Sequence, residues 1–402
     1  MSKSNVPELR LDGFEGEWNR EALGNLAAVS SAARVHRNDW RKSGIPFFRT
    51  SDVTAMASGK KNERVYIDPA LYQELTARSG KLAAGDILIV GGGSIGTPYI
   101  VPDNSPLYSK DADLLWVKPQ PALDSYFFTS FLATSVFTSY LKSISHIGTI
   151  SHYTIEQAKV TPVPLPPTVE EQQAIGGIFT NLDTAINSHK KKLDLLKQTK
   201  TSLLQRMFPQ DGATVPELRL EGFEGEWGAV SLKTLSDERY VTLGRGEVIS
   251  QVDIGNHLGR YPIYSSSAKG DGVFGYYGRY MFADERITWS IDGGGRFFYR
   301  PAHRYSVTNV CGWLKVNTLD IDTRFLYLSL YLQWLQQSFD YMLKAHPSNI
   351  VEIYKPWLPP TVEEQRAIGA VFAKLDTLIS TEAQYIDKLT QTKTALLQKM
   401  FV

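Results

Sequence analysis

The chain has 402 residues, with 43 lysines and arginines against 42 aspartates and glutamates, a net charge of +1 and a single cysteine, Cys311. This length predicts two or three domains, and the lone cysteine excludes a disulfide-stabilised secreted protein and favours the reducing cytoplasm. The opening residues MSKSNVPELRLDG have no apolar core, and no apolar run of about eighteen residues occurs, so neither a signal peptide nor a membrane span is expected. Because the overall charge is balanced, any nucleic-acid binding is expected from local patches.

Two blocks of the sequence occur twice, in the order short block, variable region, long block. The short block at residues 6–18, VPELRLDGFEGEW, returns at residues 215–227 with 12 of 13 positions identical. The long block at residues 166–208 returns at residues 359–401 with 26 of 43 positions identical. The stretches between the blocks resemble each other only weakly, so the repeat predicts a pseudo-twofold frame that carries two different functional regions.

Each variable region contains a short β-type run that ends in a glycine loop, at residues 86–96 and 286–296. A helical stretch is expected further along each region, at residues 124–143 and 322–344. The equivalent placement of these features in the two halves predicts one shared fold for both variable regions.

The first glycine loop matches a nucleotide-binding pattern. Residues 91–96 read G-x-G-x-x-G directly after a strand, but the fingerprint requires a helix that opens at the last glycine. Here Thr97 and Pro98 follow instead, so we expect a tight turn. The sequence contains no phosphate-binding GxxxxGK[ST] loop, no Asn/Asp-Pro-Pro-aromatic tetrapeptide of amino-methyltransferases and no zinc-ligand spacing, so no metal or catalytic site is expected.

The long block predicts a helix in each copy. Thr168 and Thr361 each precede a glutamate by three residues, Glu171 and Glu364, which is the capping-box pattern, and a Pro-Pro pair stands before each threonine. Apolar residues then recur at alternating spacings of four and three, the period of a coiled-coil seam. The seam positions are Ile175, Phe179, Leu182, Ile186, His189, Leu193, Leu196, Lys200, Leu203 and Met207, and Ile368, Phe372, Leu375, Ile379, Glu382, Ile386, Leu389, Lys393, Leu396 and Met400.

Connectivity predicts that the two helices pair antiparallel. The second variable region begins after the first helix and ends before the second, and domain termini usually lie close together. The alternative is that each amphipathic helix packs only on its own domain. His189 and Glu382 interrupt the seam at equivalent positions, where they either face each other and fix the register or lie at a water-filled point.

The two PPTVEEQ helices and the two PELRL-x-GFEGEW openings resemble the specificity subunit of type I restriction–modification systems, the HsdS family. The resemblance implies an α+β fold with two α/β target recognition domains separated by two long antiparallel coiled-coil helices. It also implies a non-catalytic subunit that binds double-stranded DNA and joins two methyltransferase (modification) subunits, with restriction and translocase subunits as further partners. S-adenosylmethionine, ATP and Mg would belong to those partners, and the difference between the two regions predicts an asymmetric bipartite target.

The expected domain boundaries follow the repeat. Residues 1–160 hold the N-terminal short block and recognition domain 1, and residues 161–209 hold the first spacer helix. Residues 210–355 hold the central short block and recognition domain 2, and residues 356–402 hold the second spacer helix. A specificity subunit for a fused restriction–methylation enzyme, a bivalent scaffold for two proteins and a self-contained nucleotide-binding enzyme remain as alternatives.

Both variable regions are mildly basic. Residues 24–160 contain 14 Lys and Arg against 11 Asp and Glu, and residues 229–354 contain 13 against 12, with nine arginines interleaved with Tyr and Phe. Arginine reads guanine and clamps phosphate, and polar loop tips hydrogen-bond bases or phosphates, although solvated charges and plain turns are the alternatives. The predicted DNA-contacting residues are Arg34, Arg37, Arg49, Lys60, Lys61, Arg64, Ser94, Ser145, His146 and Thr149 in the first region, and Ser265, Ser266, Lys269, Arg296, His346, Ser348 and Asn349 in the second.

Overall fold

A computed structural model describes residues 5–110, 113–144, 152–210, 212–266, 271–337 and 345–402. The chain divides into two compact units, one of Met1–Lys191 with Glu382–Val402 and one of Lys192–Thr381. Each unit therefore contains one variable region and a part of each long helix. No helix in the described ranges combines the length and the apolar character needed to cross a membrane.

The variable region of the first unit is a mixed α/β structure. Its elements are β1 (Asn19–Ala22), α1 (Leu23–Leu26), β2 (Ala27–Ser30), β3 (Ile45–Phe48), α2 (Thr50–Ala57), β4 (Val65–Ile67), α3 (Pro69–Ser79), β5 (Ile87–Val90), β6 (Pro98–Ile100), β7 (Tyr108–Ser109), β8 (Leu114–Pro119), α4 (Ser125–Leu132), α5 (Ser135–Ser143), α6 (Ile155–Lys159) and β9 (Pro162–Leu165). The strands form an antiparallel sheet in the order β2-β8-β5-β6, a smaller sheet in the order β4-β3-β7, and the pair β1-β9. Strands β3 and β7 run parallel.

The variable region of the second unit repeats this topology. Its elements are β10 (Gly228–Ala229), α8 (Leu232–Asp237), β11 (Val241–Arg245), α9 (Gln251–Asn256), β12 (Tyr261–Tyr264), β13 (Val273–Tyr277), β14 (Arg286–Ser290), β15 (Phe297–Arg300), β16 (Ser306–Val307), β17 (Cys311–Val316), α10 (Thr323–Gln336), α11 (Pro347–Ile353) and β18 (Trp357–Leu358). The sheets have the orders β11-β17-β14-β15, β13-β12-β16 and β10-β18, and β12 runs parallel to β16. The prediction that both regions share one fold is therefore confirmed.

The central strands of the larger sheets, β5 and β14, are buried along their whole length. In the first unit Ile87 and Ile89 of β5 belong to the same core cluster as Phe127 and Phe131 of α4. Full burial explains why β5 is apolar throughout, whereas in β14 the apolar Ile287 and Trp289 alternate with polar residues that are also buried.

The helical stretch expected at residues 124–143 is present, and the structure divides it into two helices. Helix α4 ends at Leu132 and α5 begins at Ser135. The buried Thr134 hydroxyl donates to the Phe131 carbonyl at 2.7 Å and accepts from the Phe137 amide at 3.2 Å, so it closes one helix and caps the next. In the second unit α10 ends at Gln336, and the expected continuation through residues 338–344 lies outside the described residues.

The long blocks form α7 (Val169–Arg206) and α12 (Val362–Lys399), each of 38 residues. The Glu171 amide donates to the Thr168 hydroxyl at 3.3 Å, and the Glu364 amide donates to the Thr361 hydroxyl at 3.4 Å. The threonines therefore cap the helices as predicted. The other half of the predicted capping box is wrong, because the glutamate side chains bind arginines of the short blocks instead.

Contacts inside each unit establish that α7 and α12 run antiparallel. In the first unit the Lys393 ammonium donates to both carboxylate oxygens of Asp183, at 2.6 and 2.7 Å. The first unit also contains the contact between His189 Nδ1 and Glu382 Oε1. In the second unit Lys200 pairs with Asp376, so higher residue numbers on α7 again meet lower ones on α12. Every seam position is buried or half-buried.

Candidate nucleic-acid interface

The two repeat blocks are joined in each unit by one arginine, in a contact that we call the arginine clasp. In the first unit Arg10 Nε and Nη2 donate to the two carboxylate oxygens of Glu171, both at 2.8 Å. The same guanidinium donates to the carbonyls of Gly16 at 2.5 Å and Glu15 at 2.8 Å. Glu171 is almost fully buried, and this two-point geometry holds the short block on the first turn of α7.

The second unit contains the same clasp. Arg219 Nε and Nη2 donate to Glu364 at 2.8 and 2.7 Å, and the guanidinium also donates to the carbonyls of Gly225 and Glu224. Sequence reasoning missed this contact, although Arg10 and Glu171 recur together as Arg219 and Glu364.

A tryptophan of each short block completes the frame on which the variable region rests. Trp18 packs edge-on against Phe127 and Phe401, with ring centroids 5.8 and 6.0 Å apart. Trp227 packs in the same manner against Phe325 and Phe208, at 5.5 and 5.7 Å. Helices α4 and α10 of the variable regions are therefore anchored to equivalent aromatic clusters.

In the first region, some of the predicted DNA-contacting residues meet at one edge of the larger sheet. Lys60 and Lys61 follow α2 and line a cleft with Ser94, which follows β5. All three residues are exposed. The arrangement places two ammonium groups beside a hydroxyl on an open surface, which suits phosphate binding.

Other predicted residues of the first region have different surroundings. Arg49 is bound internally, because its guanidinium donates to Asp52 at 2.8 and 3.3 Å and to the Glu63 carbonyl at 2.8 Å. It also lies over the ring of Trp40, which Arg37 approaches as well. Arg34, Arg37 and Arg64 are exposed, whereas Ser145, His146 and Thr149 lie outside the described residues.

The glycine loop after β5 is a turn, as predicted. Gly93 and Gly96 have φ values of 73° and 84°, and the Thr97 amide donates to the Ser94 carbonyl at 3.2 Å. A Cβ atom on Gly96 would lie 2.7 Å from the ring of Phe137. The chain then enters β6 rather than a helix, so this segment lacks the helix N-terminus on which the dinucleotide fingerprint depends.

In the second region, three segments that carry predicted residues meet around the end of β14. The Ser290 hydroxyl donates to the Ser266 carbonyl at 3.0 Å, and the neighbouring Ser265 hydroxyl accepts from Thr308 at 2.9 Å. The indole of Trp289 donates to the Ala345 carbonyl at 2.7 Å, directly before His346. The edge is therefore the counterpart of the Lys60, Lys61 and Ser94 cleft.

The remaining predicted residues of the second region lie on or near this edge. The Arg296 guanidinium lies 5.0 Å from the centre of the Phe298 ring. His346 Nδ1 and the Ser348 hydroxyl are 3.0 Å apart, and Asn349 donates its amide to the His346 carbonyl at 2.8 Å. Lys269 lies outside the described residues.

Sequence reasoning missed an exposed group of arginines on the smaller sheet of the second region. Arg260, Arg279 and Arg304 are all exposed, and none of them was among the predicted residues. The signal was present, because each of the three is followed directly by a tyrosine. A fourth Arg-Tyr pair, at residues 239–240, lies instead in the turn before β11.

Comparison with known proteins places the chain in a family. The model of the type I restriction modification DNA specificity domain matches residues 15–198 and 242–391. This is most of the chain, and the chain belongs to the type I restriction–modification DNA specificity family.

Two relatives from Mycoplasma pneumoniae match parts of the chain. The specificity subunit of the type I restriction enzyme MpnII is 31% identical over 161 residues, which are 39% of this chain and 48% of the relative. The protein S.MpnORF507P, provisionally named a type I specificity subunit, is 32% identical over 143 residues, which are 34% of this chain and 39% of the relative. The chain thus spans about half or less of the length of these relatives.

A solved structure shares the fold. The S subunit of the type I restriction–modification system of M. genitalium superposes with a TM-score of 0.72, and 99% of each chain is covered. The identity of 16% makes this a likeness of fold alone.

Proposed function

We propose that this chain is the DNA sequence-specificity subunit of a type I restriction–modification complex. It binds an asymmetric bipartite duplex target, with one half-site for each variable region. It carries no catalytic site of its own and recruits two adenine-N6 methyltransferase subunits, with restriction subunits as further partners. The cytoplasm is where such a complex acts on DNA.

One observation carries the proposal: the same strand topology occurs twice, on equivalent clasps, with different side chains around the ends of β5 and β14. The first region presents Lys60 and Lys61 beside Ser94. The second region presents Ser265, Arg296 and His346 around the end of β14. A repeated scaffold with unlike surfaces is what two unlike half-sites require, because base-edge contacts depend on side-chain identity.

In the proposed mechanism, contacts to phosphates and contacts to base edges have different roles. Cationic side chains bind phosphates and fix the orientation of each region, while side chains at loop tips read base edges in the major groove. The methyltransferase partners flip the target adenines into their own sites. The long helix pair sets the separation of the half-sites.

The short blocks supply matching partner surfaces. Asp12, Glu15 and Glu17 are exposed in the first block, and Glu221, Glu224 and Glu226 are exposed at the equivalent positions of the second. Two copies of one surface suit two identical methyltransferase subunits. The exposed faces of α7 and α12 adjoin these blocks and belong to the same proposed surface.

The test is methylome sequencing of a host that expresses this chain with its modification subunits. We expect new N6-methyladenine in one motif of two unlike half-sites separated by a fixed gap. The control is the same host with the modification subunits alone, which should give no such motif. A continuous motif, a symmetric motif or no new methylation would contradict the proposal.

A further inference from the structure

A group of arginines and tyrosines lies beside the smaller sheet of the second unit. These residues are separate from those around the end of β14 that we propose to contact one half-site. Arg304 Nη1 donates to the Tyr261 hydroxyl at 2.8 Å. The Arg304 guanidinium also lies 4.9 Å from the centre of the Tyr280 ring and 5.6 Å from that of Tyr261. The two tyrosine rings meet edge-on, with centroids 5.3 Å apart. Arg304 is therefore held in a defined position on an exposed surface.

Two more arginines lie at the same end of the β12–β13 hairpin. Tyr261, the first residue of β12, pairs with Tyr277, the last residue of β13. Arg260 precedes the first of these strands directly, and Arg279 follows the second after one residue. We call Arg260, Tyr261, Arg279, Tyr280 and Arg304 the Arg-Tyr cluster.

The arginines of the cluster form no ion pair within the described part of the second unit, although hydrogen bonds from Ser250 and, in smaller part, the charge of Arg279 lower the pKa of the nearby Asp253. There, no carboxylate oxygen lies within 4.0 Å of a guanidinium nitrogen of Arg260, Arg279 or Arg304. The hydrogen bond from Arg304, with smaller contributions from the charges of Arg304 and Arg260, lowers the pKa of the Tyr261 hydroxyl. The three arginines, all exposed, therefore give this end of the hairpin a positive surface.

The chemistry of the cluster selects its ligand. Arginine is always charged, is weakly hydrated and presents several N–H donors in a plane, of which the structure uses one on Arg304 for Tyr261. Phosphate diesters accept such donors in pairs, and a surface of this kind binds the backbone of a duplex whatever its sequence. An acidic protein surface is the competing ligand, and the experiment below separates the two.

We infer that the Arg-Tyr cluster is a sequence-independent contact of the second region with the phosphate backbone of duplex DNA. The inference rests on the proposed function and adds to it the site that positions the second region. The loops around β14 then read bases, and the cluster supplies affinity and salt dependence.

The test compares Arg304→Ala and Arg279→Ala with Arg239→Asn in the full chain, purified with its methyltransferase subunits. Arg239→Asn removes the same charge from the remaining Arg-Tyr pair, which lies in the turn before β11, and asparagine tolerates the φ of 65° found there. Binding to a target duplex and to a target-free duplex is measured by fluorescence anisotropy over a range of KCl concentrations. Thermal unfolding of each variant reports whether it is folded.

Each cluster variant should reduce the slope of log K against log[KCl] by about 0.9 and weaken both duplexes by the same factor. Arg239→Asn should leave the slope unchanged, and Arg304→Lys, which keeps the charge, should retain it. An unchanged slope for Arg304→Ala, or an equal loss for Arg239→Asn, would overturn the inference. So would weaker binding of the methyltransferase subunits with the DNA slope intact, because that result indicates a protein contact.

The two proposals fail in distinguishable ways. If the wild-type complex does not prefer the target duplex, the proposed specificity function fails, while the target-free duplex still reports on the cluster. If the preference is present and the slopes of the cluster variants equal that of the wild type, only the inference fails.

Discussion

Arg10 and Glu171 form a two-point ion pair, with both nitrogen–oxygen distances at 2.8 Å, between residues 161 positions apart in the sequence. The carboxylate has an exposed fraction of 1% and the arginine one of 13%. Arg219 and Glu364 form the same pair in the second unit. In each unit the clasp therefore joins the short block to the first turn of a long helix. The two variable regions differ in sequence but adopt the same fold next to this shared arrangement.

Removing the arginine of the clasp should destabilise the unit to which it belongs. Arg10→Ala leaves the Glu171 carboxylate buried without its guanidinium, and breaking a buried pair in this way costs about 3–5 kcal/mol of unfolding free energy. Arg219→Ala should cost a similar amount in the second unit. Urea-induced unfolding measures both effects.

Exposed ion pairs provide the matched controls for the clasp. Lys399 pairs with Glu8 in the first unit, and Arg206 pairs with Glu217 in the second. The exposed fractions of the four side chains lie between 47% and 69%. Lys399→Ala and Arg206→Ala should each change the stability by less than about 1 kcal/mol. Equal losses from clasp and control variants would show that the clasp has no special role.

His189 and Glu382 should be energetically coupled. Their contact lies in the helix seam, where Glu382 has an exposed side-chain fraction of 7% and the Tyr385 ring centre lies 4.5 Å from that of His189. A double-mutant cycle with His189→Leu and Glu382→Leu should give an interaction energy of about 1 kcal/mol. The more exposed pair Asp183 and Lys393 should give less. An interaction energy of zero between His189 and Glu382 would contradict the prediction that their contact fixes the register of the two helices.

Replacing Thr134 should lower the unfolding free energy more than replacing an exposed threonine does. Thr134→Ala removes the cap of α5 and the closing bond of α4, at a cost of about 1–2 kcal/mol. Thr134→Ser keeps the hydroxyl and should retain most of the stability. Thr138→Ala, four residues along on the exposed face, is the control and should stay within about 0.5 kcal/mol of the wild type in thermal unfolding.

The basic residues of the first region should separate into residues that bind DNA and residues that stabilise the fold. Lys60→Ala combined with Lys61→Ala should lower DNA affinity and reduce the salt slope by about 1.8, because both ammonium groups lie on the open cleft. Arg49→Ala should instead lower the unfolding temperature, since Asp52 loses its guanidinium. Lys81→Ala, an exposed lysine outside the cleft, is the control. A reduced slope for Lys81→Ala as well would remove the cleft from the DNA interface.

Shortening both long helices should shorten the gap in the target. Deleting residues 188–194 and 381–387, which are equivalent in the repeat, removes one heptad from each helix and about 10 Å of its length, or about three base pairs. Methylome sequencing should then show the same two half-sites with a shorter gap. Deleting the heptad from α7 alone should destroy the seam and abolish methylation. An unchanged gap after the double deletion would refute the role of the helices as a ruler.

Patterns of short range were predictable from the sequence. The starts of α7 and α12 at a capped threonine and the seam spacing from Ile175 to Ile186 depend on neighbouring residues and on helix periodicity, and both were predicted. The break at Thr134 was not, because a buried threonine between two apolar runs is compatible with one helix or two. Packing of Phe131 and Phe137 in the same core decides between them.

The candidate DNA surface was only partly predictable. Lys60, Lys61 and Ser94 were named from the sequence, but that they share one cleft depends on the crossing of α2 and β5. Arg49 had the same local appearance as the lysines, yet Asp52 and Trp40 bind it internally.

The sequence by itself determined the frame of this protein: two copies of a short block and a capped helix, with the seam period written along each helix. Such features follow from backbone geometry, which a linear pattern records directly. Only the tertiary structure decided how each charge is used. A guanidinium is neutralised or left at the surface according to carboxylates and rings that folding brings near, as Glu171 is brought to Arg10 and two tyrosines to Arg304.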